Sequence, residues 1–268
     1  MSNDVYVHGY SVKETQRLAD QAETLAELLH HNTRYPAKSK VLEVGCGTGA
    51  QTIILAGNSP EAHFISVDIS ETSVRQTGEL IRKENISNVQ VQQADVFDLP
   101  FGKDSFDHIF VCFLLEHLDR PVQALKHLKK VLKSKGSITV IEGDHGSAYF
   151  YPDSSQAKLA IRCLIELQSQ TGGNSLVGRQ LYPLLKEAGF ENVRVSPRAV
   201  YVDASKPELV EGFTKKTFTA MVEGVKNQAL TSGMLDEQTW NKGISDLYRT
   251  AQSDGTFNYT FFKATGVK

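Results

Sequence analysis

"KVLEVGCGTGAQT", residues 40–52, decides the fold: a short apolar strand runs into a glycine turn and out into a helix. The turn fits two templates at once. Gly45-x-Gly47-x-Gly49 is a plain glycine triplet, and Gly45-x-Gly47-x-x-Ala50 also satisfies the dinucleotide fingerprint G-x-G-x-x-G/A. The strand and the glycines therefore predict a ligand at this turn without choosing it.

Working outward, strands and helices alternate. Leu18, Ala22, Leu25, Leu28 and Leu29 recur at helical spacing before the quoted stretch, beside Glu14, Arg17, Asp20 and Glu23, and predict an amphipathic helix over residues 12–31. After it, "HFISVD", "VQVQQAD", "SFDHIFVCF" and "GSITVIEGD" read as strands two to five. Helices are expected over 71–84, with Ser70 as N-cap, and over 121–132, where Lys129, Lys130 and Lys133 suit the negative end of the dipole. Strands apolar along most of their length imply a mostly parallel sheet covered on both faces, a Rossmann-like doubly wound α/β fold with ligands at the carboxyl ends of the strands. Those ends carry Gly45, Asp68, Asp95, Cys112 and Asp144.

The last third changes character. Helices around 156–170 and 180–188 lead to "NVRVSPRAVYVD", a sixth strand, then to a mostly helical insertion over 204–254. In "GTFNYTFFKATG", Phe257, Tyr259 and Phe261 alternate with Thr256, Asn258 and Thr260, as in a terminal strand. No repeat or low-complexity linker marks a boundary, so one domain over 1–268 is expected: an N-terminal covering segment (1–35), a cofactor-binding core (36–146) and a substrate side (147–268).

Composition narrows the class. With 40% hydrophobic and 22% charged residues the chain reads as globular, and a net charge of −2 provides no field for steering a polyanion, so no nucleic-acid partner is expected. Cys46, Cys112 and Cys163 form no C-x-x-C pair and read as reduced thiols, neither a disulfide framework nor a metal site. "MSNDVYVHGY" has no signal-peptide pattern and no apolar run reaches membrane-spanning length, so a cytoplasmic protein without membrane insertion is expected.

Charge then separates the two cofactors. A nicotinamide dinucleotide would bring its pyrophosphate to the turn, where Glu43 adds a carboxylate against it. S-adenosylmethionine instead brings an ammonium, a sulfonium and a ribose diol. Acids at Glu43, Asp68 and Asp95 suit that cationic ligand.

"VLEVGCGTG", "VDIS", "QADVFDLPF", "SFDHIFVCFLLEHL" and "LKSKGSITVIEGD" resemble successive motifs of the class I S-adenosylmethionine-dependent methyltransferases, over roughly residues 38–146. The resemblance implies a seven-stranded sheet whose antiparallel last strand, matched by "GTFNYTFFKATG", inserts between the fifth and sixth. It also implies that Gly45, Gly47 and Gly49 lie along the methionine moiety and that Asp68, followed by Ile69, binds the ribose. Asp95 and the Val96 backbone would hold adenine, and the backbone near Cys112 would meet the amino group. "YVHGYSVKETQRLADQ" is similar to the cofactor-covering segment of small-molecule methyltransferases, with Tyr10 over the sulfonium and Gln21 near the carboxylate or amine. Glu116 and His117, in "LLEHL", match a pair the family often carries at a helix start, and His117 joins the candidate cofactor-binding residues.

On the substrate side, His145 leaves the fifth strand where the methyl group should point, and its imidazole is the candidate proton acceptor. Tyr149 and Tyr151 are candidates for the acceptor pocket. The expected activity is methyl transfer to a small-molecule acceptor. A macromolecular methyltransferase, a non-catalytic S-adenosylmethionine-binding module and an oxidoreductase are the alternatives. The fourth strand ends in "CFLLEH" and lacks the N/D-P-P-Y/F motif used on adenine or amides, and there is no Pro-Cys pair for cytosine, which counts against nucleic acid.

Overall fold

The computed structural model describes residues 12–268, with side chains in the first helix described at Arg17 and from Asp20 onward. Seven strands form one sheet: β1 (Lys40–Val44), β2 (His63–Asp68), β3 (Val89–Gln93), β4 (Phe106–Cys112), β5 (Leu132–Tyr151), β6 (Glu191–Val202) and β7 (Thr256–Val267). Their order is β3-β2-β1-β4-β5-β7-β6. The first five pair in parallel, and β7 runs antiparallel between β5 and β6. The expected mostly parallel sheet with an inserted antiparallel last strand is thus present. Strand order reverses between β1 and β4, which opens a crevice at their carboxyl ends, the usual ligand position in such sheets.

Local signals set the helices. In α3 (Glu71–Lys83) the Ser70 side chain accepts the Ser73 N–H at 3.3 Å, and α4 (Pro121–Val131) starts on a proline whose missing N–H costs nothing there. One apolar layer, with Leu25, Phe64, Phe110 and Trp240, lies under α1 (Val12–His30), α5 (Ser155–Gln170) and the insertion. The other, with Leu42, Ile109, Leu125 and Phe190, lies under α4 and α6 (Leu181–Glu187). Lys263 of β7 fastens the end of α1: its ammonium donates to the Leu29 carbonyl at 3.2 Å, Asn32 Oδ1 at 2.8 Å and Thr33 Oγ1. A cation on the last carbonyls of a helix is favoured by the dipole.

Two departures from the sequence reading matter for the site. β5 continues to Tyr151, seven residues past Asp144, because Tyr149–Tyr151 pair with Thr256–Asn258 after a register shift. "HGSAYFY" carries turn-forming residues and reads as a loop until its partner strand is known. The insertion is helical, as expected, but includes an unusual element. Between α7 (Pro207–Leu209) and α8 (Ala220–Glu223), residues Val210–Thr219 wind with π pitch, and the Thr217 hydroxyl donates to the Gly212 carbonyl at 2.7 Å. α9 (Lys226–Thr231) and α10 (Glu237–Arg249) complete it. No described helix is long and apolar enough to cross a membrane.

Candidate active site

A cavity of about 430 Å³ opens at the carboxyl ends of β1 and β4 and runs beneath α1 and the π-pitched segment. Its floor is the glycine turn. Gly45, Gly47 and Gly49 all take positive φ (76°, 54° and 85°), a conformation that favours glycine. At Gly47 an added Cβ would meet nothing within 4 Å, so backbone faces open cavity, and its N–H donates to Asp68 Oδ2 at 2.9 Å. Asp68, at the end of β2, takes the Ser70 N–H on Oδ1 at 2.9 Å. Burial pushes its carboxyl above the ordinary range against those two donors. Each oxygen keeps a lone pair for a ligand hydroxyl. Ile69, 61% exposed, stands at the rim.

Glu43 does not join this ring. It shares a sheet face with Val41 behind the turn, only 2% exposed, where Oε2 accepts the Thr52 and Ser66 hydroxyls at 2.7 and 2.6 Å. Burial pushes its carboxyl up to about 7. The period-two alternation of β1 thus directs into the core an acid that was expected to face the ligand.

Asp95 and Val96 follow β3 beyond the cavity wall. Asp95 Oδ1 accepts the Phe97 N–H at 2.8 Å, and Val96 is buried in the second apolar layer. Gly49 starts α2 (Ala50–Asn58) as its N-cap, while its neighbours Thr48 and Ala50 line the cavity. Tyr10 lies outside the described residues.

α1 and β4 bring in further groups. Gln21 and Arg17 line the cavity together, one helical turn apart, with Arg17 Nη1 donating to Gln21 Oε1 at 3.0 Å. Arg17 was read only as part of the polar face; its i, i+4 spacing from Gln21 is the signal that places both on one side. Cys112 ends β4 at the cavity, and Phe113 follows with a positive φ of 54°, a strained conformation for a bulky residue beside a ligand site. Glu116 and His117 also line the cavity, on a 3-10 turn (Leu115–His117). Glu142, passed over in the sequence, supports that turn from β5: its Oε1 accepts the Leu114 and Leu115 N–H groups at 3.0 and 2.7 Å. Full burial, with the Glu116 charge nearby, pushes the Glu142 carboxyl well above the ordinary carboxylate range.

The far chamber is apolar and aromatic. Phe213, Phe218 and Met221 come from the insertion, and Phe261 from β7. Among them His145 faces the cavity, with Nδ1 2.8 Å from the Tyr259 hydroxyl. Burial lowers the basicity of the imidazole, which favours its neutral form. With Nδ1 engaged by the tyrosine hydroxyl, Nε2 is the ring nitrogen left for a ligand. An added Cβ at Gly143 would collide with the Tyr259 hydroxyl, so this glycine makes room for the pair. Asp144 points away and is clamped by Arg179 through two bonds of 2.7 Å.

Tyr149 and Tyr151 do not line the cavity. They are 64% and 60% exposed, because Phe150 between them turns inward to stack on Phe257. The strand that replaces the expected loop sends alternate side chains to opposite faces. Among the described residues no group of three or more His, Cys, Asp or Glu is arranged to hold a metal ion.

Comparison with known proteins agrees with this architecture. A family model described as a methyltransferase domain matches residues 37–189. A Streptomyces fradiae protein, described as an uncharacterized 37.1 kDa protein in transposon TN4556, is 32% identical over 186 residues, 68% of this chain and 52% of its own. The demethylmenaquinone methyltransferase of Staphylococcus carnosus is 31% identical over 170 residues, covering 59% of this chain and 70% of its own. Among solved structures, Haemonchus contortus phosphoethanolamine N-methyltransferase 2, in complex with phosphomonomethylethanolamine and S-adenosylhomocysteine, shares the fold with a TM-score of 0.57 at 18% identity, over 92% of this chain and 52% of that one. The match to the first of these relatives spans about half of that protein's length.

Proposed function

The chain belongs to the methyltransferase-domain family, and from that premise we propose that it is an S-adenosylmethionine-dependent methyltransferase acting on a small, largely apolar acceptor. One observation carries the reading: a single cavity joins the open glycine turn and Asp68 at one end to an aromatic chamber holding His145 at the other.

The residues fit the cofactor. Asp68 has lone pairs for a ribose diol, the backbone at Gly47 is open to an extended ligand, and Ile69 offers an apolar cover at the rim. Bound there, S-adenosylmethionine would supply an electrophilic methyl carbon on a sulfonium. The protein's own part is orientation and exclusion of water, the effects that matter most for an in-line displacement. Phe213, Phe218, Met221 and Phe261 desolvate the acceptor, and their apolar surface selects against a highly charged one. His145, held by Tyr259, orients the acceptor through Nε2. Asp95, Gly49 and Glu43 support the cofactor from behind the wall or beyond it.

The covering of the site has a structural basis in α1 and the insertion. At Gly212 an added Cβ would collide with Thr24 of α1, so the π-pitched segment rests directly on that helix. We assign residues 1–35 and 204–254 to this cover and residues 36–146 to the cofactor side. Calorimetry with S-adenosylhomocysteine and NAD, followed by an acceptor screen read as S-adenosylhomocysteine formation, tests the reading. NAD binding with no S-adenosylhomocysteine binding would refute it.

A further inference from the structure

His30, at the end of α1, is 1% exposed, and its Nε2 lies 2.6 Å from Gln51 Oε1 on α2. Gln51 lines the cavity. Burial lowers the imidazole to about 4, so it is neutral at physiological pH and carries one proton. Two arrangements are open to the pair. If the Gln51 amide nitrogen faced His30, the imidazole proton would sit on Nδ1, which is buried without a partner. An orphaned buried donor is rarer and costlier than an orphaned acceptor. The proton therefore sits on Nε2 and donates to Gln51 Oε1.

This fixes what Gln51 can offer. Its oxygen is occupied, so its NH₂ is the free end and only donates. Arg17 and Gln21 act alike on the same side of the cavity, since Gln21 Oε1 is taken by Arg17. Gln51 is the second residue of α2, which has no acid in its first turn and no side-chain cap. The charged groups facing this region include Arg17 from α1, Lys263 from β7, Asp68 from β2 and Glu116 from the 3-10 turn, and the two acids come from elements other than α1 and α2.

Resting on the cofactor reading above, we propose that His30 is a positioning residue that holds the Gln51 amide as a donor to the carboxylate of the cofactor's amino-acid end. The ammonium must then be met elsewhere in the cavity, since a donor-only amide repels it.

Calorimetry on the full chain, with S-adenosylmethionine and its decarboxylated analogue as ligands, tests this. Gln51→Ala is expected to weaken S-adenosylmethionine about ten- to a hundredfold, the range for a hydrogen bond to a charged group, and to leave the analogue unchanged. Gln51→Glu should weaken S-adenosylmethionine further and tighten the analogue, which keeps its cations. His30→Phe should reproduce part of the loss for S-adenosylmethionine alone, and His30→Gln, whose amide can still donate to Gln51 Oε1, should restore it. Equal losses on both ligands, or none, for Gln51→Ala would overturn the assignment of Gln51. Failure of His30→Gln to recover what His30→Phe loses would overturn the positioning role. If wild type binds neither ligand, the cofactor reading falls and takes this assignment with it.

Discussion

Glu43→Gln isolates what a buried acid does behind the glycine turn. In the folded chain its carboxyl titrates near 7, against an ordinary value of 4.5. The cause is burial, partly offset by the Ser66 and Thr52 hydroxyls. A raised acid binds its proton more tightly folded than unfolded. Its contribution is complete below 4.5 and is lost as pH rises through 7. At about 1.4 kcal/mol for each tenfold change, ionisation at pH 8 costs wild type at most about 3 kcal/mol. Glutamine stays neutral and keeps a carbonyl for both hydroxyls, while its NH₂ adds a cost that does not vary with pH. Urea denaturation of both proteins at pH 5 and pH 8 separates the two effects. Wild type should lose about 1–3 kcal/mol more than the variant across that interval, and S-adenosylhomocysteine affinity near pH 6 should differ by less than about twofold, a shift within the ordinary range for a substitution outside a binding contact. Parallel pH profiles would refute the reasoning.

Asp68→Ala should weaken S-adenosylhomocysteine by about 1.5–3 kcal/mol in calorimetry, the loss expected when charged hydrogen bonds to a diol disappear; unchanged affinity removes Asp68 from the site. His145→Ala and Tyr259→Phe should lower turnover or shift acceptor preference while cofactor affinity stays within about 0.5 kcal/mol, measured by product formation and calorimetry on the same samples. Gly143→Ala, by displacing the Tyr259 hydroxyl, should copy Tyr259→Phe in the same assays; a variant indistinguishable from wild type would show that the pair does not orient the acceptor. Hydrogen exchange along α1 should slow when S-adenosylhomocysteine binds, and equal protection with and without ligand would make α1 a structural helix only.

Most of the sheet was legible because each parallel strand carries its own apolar run and its own turn signal, as in "KVLEVG" and "HFISVD". One end of the cavity was legible for the same reason: Gly45, Gly47 and Asp68, which line it, sit at strand ends, where position follows from local pattern. What was not legible depends on partners far along the chain. The extension of β5 exists because Thr256–Asn258 lie beside it, and this is why Tyr149 and Tyr151 face outward. Glu43 and Glu142 were misjudged or missed for a related reason. Whether an acid at the end of an apolar strand faces ligand or core depends on strand alternation and on which hydroxyls and amides lie across from it. Arg17 and the His30–Gln51 pair needed the packing of α1 on α2, which no local pattern encodes.

The π pitch of residues 210–219 sets how the aromatic end of the cavity can be reshaped. Phe213 and Phe218 are five residues apart, which in a regular helix of about 3.6 residues per turn would face them some 140° apart. Here both line the cavity, their ring centroids 6.5 Å apart. A π turn is an α-helix holding one surplus residue. Deleting one residue between Phe213 and Phe218 would let the segment relax toward α pitch with the two rings four residues apart, about 40° in facing, and the helix that follows still in register. A single-residue deletion in this segment is therefore expected to reshape the cavity wall at Phe213 and Phe218 and to leave the glycine turn and Asp68, which belong to other elements, as they are.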